Sequence, residues 1–393
     1  MPHKLLYFFR PPNGGPEKSA LLFPGDDPGS LGDEAMLQAT LTNLRRLGIT
    51  KFGVGRWKRS REGFAGLVAG VVDEPLWGGA LAFRRVLGRY QIFYIFGADV
   101  MDGHYSDLQS CQLVLYAHLA RLWGRSSTIL GFSFNRTPTA NVIHFFRALH
   151  PDVALFARDP QSLKSFHSAT GRSAQLTADT AFLLKPSGPT SLTDPVATWI
   201  MERRSMGGEV IGINVHPLLF MRKTAESKEQ FLASFANLLI AMTRLEKFRF
   251  LLLPHDYRDG VGDLEMMAAL YERLPESVRA SSLFVRDRLS AAEAKEVCGS
   301  LHAVISGRMH LCIAALGQAV PTFGLSYQDK FRGLMRLFHQ DYEPLLEAEE
   351  CLDEAKLQAA VFEFLELRDS LKDEIKSRLP RVIAMARENF RFI

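Results

Sequence analysis

Residues 303–330 read AVISGRMHLCIAALGQAVPTFGLSYQDK. The apolar run at 303–305 has the length and composition of a short strand, and a polar turn, Ser306-Gly307-Arg308, follows it. From 308 to 316 apolar side chains recur at three- and four-residue spacing, the period of a helix. A second apolar run at 320–323 ends in another polar, glycine-containing stretch at 324–330. Strand, helix and strand in this order specify a parallel sheet with a helix packed on its face. Such a sheet presents the residues after each strand at its carboxyl edge, where both polar turns fall.

The alternation continues outward in both directions. In the same half, 210–215, 248–253 and 283–285 have strand character, with helical patterns at 231–245, 264–274 and 291–298. The first half repeats the scheme with strands at 19–23, 51–55, 91–96, 128–132 and 153–156 and helices at 34–47, 76–90, 106–123 and 139–149. Between the halves, 185–194 (KPSGPTSLTD) is rich in Pro, Ser, Thr and Gly and reads as a linker. Two α/β halves joined this way place a cleft between them, the usual position of a ligand. Residues 352–393 form a charged tail of helical pattern, broken at Pro380.

Composition agrees with two domains, since 393 residues exceed one ordinary core and suit two of about 150–200 residues. A chain that is 47% hydrophobic and 23% charged is not intrinsically disordered. Its 47 basic and 43 acidic residues leave a net charge of +4, too balanced for bulk nucleic-acid binding but compatible with one local basic pocket. Cys111, Cys298, Cys312 and Cys351 lie far apart, with neither a disulfide framework nor zinc-ligand spacing. The opening MPHKLLYFFRPP has only a five-residue apolar run, too short for a signal peptide, and no window approaches the roughly 18 apolar residues of a membrane span. The expectation is a soluble, cytoplasmic protein. The 28 Phe, against 9 Tyr and 4 Trp, are expected to fill the cores.

Polar residues at the predicted strand ends carry whatever chemistry there is. GDDPGSLGDE at 25–34 follows the first strand and opens the first helix. Its carboxylates, Asp27, Asp33 and Glu34 among them, disfavour a phosphate and suit hydrogen bonds to hydroxyls; Asp33 is either a helix cap or a base for a hydroxyl. Arg308 offers a planar fork to a carboxylate or phosphate, and His310 exchanges a proton near neutral pH. Lys330 is either a second cation over the same anion or a solvated lysine at a helix start. Arg136, after the strand at 128–132, either reaches across the cleft or forms an ordinary surface contact. Asp99, Asp102 and His104 follow the strand at 91–96, His216 follows Val215, and His255–Asp256 follow an apolar strand that points them at the cleft.

As an ordered set, GDDPGSLGDEAM, FARDPQS at 156–162, ADTAF at 178–182, LLLPHD at 251–256, SGRMH at 306–310 and GLSYQDK at 324–330 resemble the polysaccharide pyruvyl transferase family. The resemblance runs over residues 20 to 335. It implies an α/β, glycosyltransferase-B-like fold: two Rossmann-like domains facing across a cleft, with C-terminal helices. The expected boundaries are 1–190 for an acceptor-side domain and 191–345 for a donor domain. A helical tail at 346–393 either packs back on the first domain or approaches a membrane surface.

The implied activity is transfer of the enolpyruvyl group of phosphoenolpyruvate onto sugar hydroxyls of a bacterial-type surface glycan or its precursor, lipid-linked or polymeric. A pyruvate ketal forms and phosphate leaves, with no metal or other cofactor. The resemblance places donor binding on Arg136, Arg308, Lys330 and His255, and acid catalysis on His310. Asp33 is then the proton acceptor, and Asp27, Glu34 and Asp99 lie on the acceptor side. Here the usual glycines after the strand at 91–96 are Gly97-Ala98-Asp99, and the segment before Arg136 lacks the usual Gly-Pro. The alternative is a nucleotide-sugar glycosyltransferase of the same two-domain architecture, which releases a nucleoside diphosphate instead.

Overall fold

The computed structural model describes residues 18–24, 28–56, 63–66, 68–76, 79–220, 224–327, 330–339 and 342–391. The chain divides into two compact units. One comprises Met1–Pro28, Met36–Leu183 and Ile383–Ile393, the other Gly29–Ala35 and Leu184–Val382.

In the first unit the elements run β1 (Ser19–Phe23), α1 (Leu31–Arg46), β2 (Lys51–Arg56), β3 (Val71–Pro75), α2 (Gly79–Leu87), β4 (Ile92–Ala98) and α3 (Asp107–Leu122). β5 (Ser126–Phe132), α4 (Ala140–Ala148), β6 (Ala154–Ala157), α5 (Pro160–Thr170) and β7 (Gln175–Leu176) follow. The strands make one sheet in the order β3-β2-β1-β4-β5-β6-β7, and every pairing is parallel. β1 is buried along its whole length, as expected of a strand covered on both faces. Phenylalanines do fill this core: Phe132, Phe134, Phe146 and Phe166 pack against one another at centroid distances of 5.0–6.3 Å.

The second unit contains α6 (Thr193–Ser205), β8 (Glu209–Asn214), α7 (Ala225–Thr243), β9 (Phe248–Leu252), α8 (Leu264–Arg273), α9 (Glu276–Ala280) and β10 (Ser282–Phe284). It continues with α10 (Ala291–Gly299), β11 (Ala303–Ser306), α11 (Met309–Leu316), β12 (Thr322–Ser326), α12 (Lys330–Met335), β13 (Leu345–Glu347) and α13 (Glu354–Arg387). The sheet order is β10-β9-β8-β11-β12-β13, again all parallel. Strand order reverses between β8 and β11, so the carboxyl ends of those two strands flank the switch point at which such sheets bind ligands.

Several elements differ from expectation for physical reasons. β3 (VVDEP), β7 and β13 lie at sheet edges and are too short or too polar to show an apolar run. The presumed linker at 185–194 ends inside α6, which starts at Thr193. α13 passes through Pro380 without breaking. Pro380 is exposed, so water can serve the carbonyl it leaves unbonded, while Ile375, Val382 and Ala386 bury the flanking turns. The apolar face of α13 is occupied: Leu357, Val361, Phe364, Leu365 and Leu371 belong to the second unit's core. It is therefore not presented to a membrane. Among the described residues no helix is long and apolar enough to span one, and all four cysteines are free and buried.

Two of the motif stretches serve the first unit's architecture. Asp159 caps α5 by accepting from Ser162 N at 2.7 Å, with Pro160 at the first helical position. The neighbouring Arg158 is buried and donates to Asp179 at 2.8 Å and to Ser133 Oγ at 2.7 Å. Asn389 from the chain's end accepts from Gly131 N and donates to the Ala178 carbonyl, both at 2.9 Å. Asp179→Ala would leave the Arg158 guanidinium buried without its partner. A loss of about 3–5 kcal/mol is expected in chemical denaturation, and a loss below 1 kcal/mol would show that the pair contributes little.

Candidate functional site

In the second unit four adjacent strands deliver polar side chains to one edge. β9 leads to His255 and Asp256, β8 ends in Asn214 and leads to His216, β11 leads to Arg308 and His310, and β12 leads to Tyr327 and Lys330. Asn214, His216, His255, Asp256, Ser306 and Lys330 are all buried. The edge is built on a carboxylate that sequence reasoning missed, Asp263, which is fully buried at the start of α8. It accepts from Asn214 Nδ2 at 2.8 Å, His255 N at 2.8 Å, Asp256 N at 3.1 Å and Arg308 Nε at 2.8 Å. Burial raises its pKa while Arg308 and the N–H groups lower it. A side chain receiving four such donors is the carboxylate rather than the acid.

Arg308 is therefore not a loose cation. Besides Asp263 it contacts Asp256 through Nη1 at 3.1 Å and the Val261 carbonyl through Nη2 at 2.5 Å. Burial works against its charge, but Asp263 and Asp256 outweigh that and raise its pKa. Asp256 also receives Arg258, at 2.6 Å from Nη2. Two arginines and two carboxylates thus form a charge-balanced set.

Two glycines are required by two histidines. The His216 ring lies on Gly307, where a Cβ would come within 2.6 Å of Cδ2, and its Nε2 is 2.8 Å from the Gly307 carbonyl. A carbonyl can only accept, so Nε2 carries the proton. The His310 ring lies on Gly32 in the first turn of α1, where a Cβ would overlap its Nδ1 and Cγ. That turn is bound to this unit: Leu31 N donates to the His255 carbonyl at 3.1 Å and Tyr257 N to the Gly29 carbonyl at 2.9 Å. Glu34 is spent there as well, accepting from Ala291 N at 2.9 Å at the start of α10; burial raises its pKa and that N–H opposes the rise. Lys330 Nζ donates to Tyr327 Oη at 2.8 Å and sits 4.5 Å from the centre of the same ring.

Of the residues singled out from sequence, Asp33, Glu34, His255, Arg308, His310 and Lys330 fall in this unit. Asp33 is buried in the first turn of α1. Arg136 and Asp99 belong to the first unit. Arg136 is exposed after β5, beside Asn135, whose backbone and side-chain amides both donate to Asp102. Asp99 accepts from Tyr105 Oη at 3.1 Å. Asp27 lies outside the described residues. Asn214, Tyr327 and Asp263 were not anticipated; the first two sit at strand ends, a position that could have marked them. Among the described residues no group of His, Cys, Asp and Glu side chains is arranged to hold a metal ion.

Solved structures share this architecture. One, a Listeria monocytogenes protein assigned as a UDP-N-acetylglucosamine 2-epimerase, has a TM-score of 0.60 at 11% identity over 95% of this chain and 94% of that one. Anabaena HepE in complex with UDP and glucose gives 0.56 at 13% identity over 95% of each chain. UDP-GlcNAc 2-epimerase from Neisseria meningitidis bound to UDP-GlcNAc gives 0.52 at 10% identity over 94% and 97%. These likenesses establish the fold alone, an α/β architecture of the glycosyltransferase-B-like class. No curated protein matches the chain in sequence. The family model for polysaccharide pyruvyl transferase matches residues 31–329, from the first turn of α1 to the residue before Lys330. The chain belongs to the polysaccharide pyruvyl transferase family.

His216 and His255 give the site a pH signature. Burial, then Arg308, lowers the His216 pKa well below 6.5, and burial, then His310, does the same for His255. Between these lowered values and about 6.5 the unfolded chain binds more protons than the folded one. Stability therefore falls as pH drops below about 6.5, by up to about 1.4 kcal/mol per pH unit for each ring. Denaturant titrations at about pH 7.5 and about pH 5.5 should show a shallower loss for His216→Phe than for wild type. Equal losses would mean that His216 is protonated in the folded protein.

Proposed function

We propose that this protein transfers the enolpyruvyl group of phosphoenolpyruvate to sugar hydroxyls of a surface glycan or its precursor, closing a pyruvate ketal and releasing phosphate. The observation that carries the proposal is the convergence of Arg308, His310, Lys330 and His255 on one sheet edge of the second unit, within the span of the family match or, for Lys330, one residue beyond it.

The donor carries a carboxylate and a phosphate. Lys330 supplies a cation held by Tyr327, and Arg308 supplies N–H groups whose direction its two carboxylate partners fix. His310 delivers a proton to the methylene carbon as a sugar hydroxyl attacks the carbon bearing phosphate. Asp33, one residue beyond the glycine on which the His310 ring rests, accepts the hydroxyl proton. A second hydroxyl then attacks the same carbon, the bond to phosphate breaks, and the departing phosphate takes the second proton. Each acceptor thus gives up two hydroxyl protons, one balancing the new methyl group and one the released phosphate.

Phosphate release from phosphoenolpyruvate, measured against a panel of acceptor glycans, tests the activity. Release of a nucleoside diphosphate from a nucleotide sugar instead would establish the glycosyltransferase alternative. His310→Ala should lower kcat by about 10²–10⁴-fold and move the donor KM by no more than a few-fold. Wild-type turnover in that variant would remove His310 from the chemistry.

A further inference from the structure

The first unit carries a charge excess that the whole chain conceals. It holds 22 Lys and Arg against 13 Asp and Glu, a net of +9, while the second unit holds the remaining 25 and 30, a net of −5. Part of the excess is local. From Pro75 to Ala98 the chain has no acidic residue but three arginines, Arg84, Arg85 and Arg89. α2 lies within this stretch and is two-sided. Phe83, Val86 and Leu87 are buried in the first unit's core, while Leu81, Arg84 and Arg85, at three- and four-residue spacing, share the other side. Leu81 is 80% exposed and Arg85 is exposed, whereas Arg89 is paired with Glu74 at 2.5 Å.

α3 packs beside α2 and extends this surface. The Phe83 and Tyr116 rings stack at a centroid distance of 4.3 Å, and Trp123 lies 5.9 Å from Phe83. On the outer side of α3, Leu108 is 69% exposed and Leu115, two turns on, is 37% exposed. Leu81 and Leu108 each stand in the first turn of a helix that follows a strand. Both therefore lie at the carboxyl edge of the sheet, where Asp99 follows β4. Asp107, beside Leu108, has its two carboxylate oxygens engaged, one by Thr139 Oγ1 and one by Asn141 Nδ2 at 2.7 Å. Leucines left in water together on a folded surface mark a docking face. Its occupant must suit both apolar side chains and a basic surround. A second copy of this chain would bring two units of +9 together, and a nucleic acid would leave the leucines in water. A bilayer of anionic lipid meets both demands, taking leucines into the acyl boundary and arginines against the headgroups.

We infer that the outer side of α2 and the start of α3 dock this protein on an anionic membrane surface, with Leu81 and Leu108 inserting and Arg84 and Arg85 meeting lipid phosphates. The face belongs to the first unit and does not depend on the pyruvyl-transfer function. The test sediments full-length protein with vesicles of phosphatidylcholine alone and of phosphatidylcholine mixed equally with phosphatidylglycerol. The protein should sediment with the mixed vesicles and stay in solution with the neutral ones. Raising salt from about 0.1 M to about 1 M should weaken binding, as the screening length falls from about 10 Å to about 3 Å. Arg84→Gln with Arg85→Gln should weaken it about tenfold or more, at about fivefold per arginine near an anionic surface. Leu81→Gln with Leu108→Gln should weaken it by a comparable factor. Met201→Gln with Met206→Gln, at exposed positions around the end of α6 in the second unit, should leave binding unchanged.

No sedimentation with the mixed vesicles, equal sedimentation with the neutral ones, wild-type binding in either first-unit pair, or an equal loss in the methionine pair would each overturn the docking face. The comparison between vesicle types needs no variant, and replacing side chains that are already exposed opens no core. Protein that ignores vesicles but self-associates in analytical ultracentrifugation, and becomes monomeric with the leucine pair replaced, would assign the face to a second copy and overturn the membrane reading. The two proposals fail separately. Vesicle binding through this face without turnover of phosphoenolpyruvate on any acceptor keeps the docking face and rejects pyruvyl transfer. Turnover on a soluble acceptor without vesicle binding rejects the docking face and leaves the transfer activity standing.

Discussion

The carboxylate of Asp263 ties together the ends of three strands that are distant in sequence. Asn214 closes β8, His255 and Asp256 follow β9, and Arg308 follows β11; each places a donor on this one buried side chain. The interior of a parallel sheet is settled by apolar packing, but the loops beyond it carry polar backbone that packing does not orient. A buried anion with four donors supplies that orientation, because every donor withdrawn would leave part of its charge unpaired. The placement of Arg308, and with it the turn into α11 where His310 sits, follows from this group. So does the conformation of the loop that carries His255.

Much of the fold was legible because strands covered on both faces leave continuous apolar runs. SALLF, FRFLL and AVIS needed no further context. What stayed hidden was what lacks such runs: β3, β7 and β13 at sheet edges, and α6 beginning inside a stretch whose Pro, Ser and Thr resemble a linker. The site was legible to the same degree. Arg308, His310, Lys330 and His255 follow apolar strands and could be picked out by position. Asp263 could not, since an Asp before LEMMAAL reads as a helix cap, yet its side chain makes no capping hydrogen bond. Its two side-chain donors, Arg308 and Asn214, come from 45 and 49 residues away, and no local pattern records them.

The motif stretches also divide by the work they do. Arg158 and Asp159 in one stretch and Asp179 in another are engaged in an internal ion pair and a helix cap, so those stretches report on the architecture of the first unit. Gly307 and Gly32 report on close approach, since each is the only residue type that admits a histidine ring at its position. Gly32, which from sequence belonged with a group of carboxylates facing an acceptor, is thereby attached to His310. Glu34, two residues on, caps α10. One decapeptide thus mixes a packing constraint, a cap and a candidate for catalysis, and sequence spacing does not separate them.

The charge of the site needs the same care as its geometry. A net charge of +4 for the chain says nothing about this edge, and counting arginines there misleads, because Arg258 and Arg308 are matched by Asp256 and Asp263. An arriving trianion would meet little net positive charge from that set. It would meet N–H groups already fixed in direction, beside neutral imidazoles that burial has stripped of water. Oriented dipoles of this kind would not need to reorganise as charge moved in the proposed transfer, whereas loose cations in water would. The cost is paid in folding, through the burial of two ion pairs and two histidines.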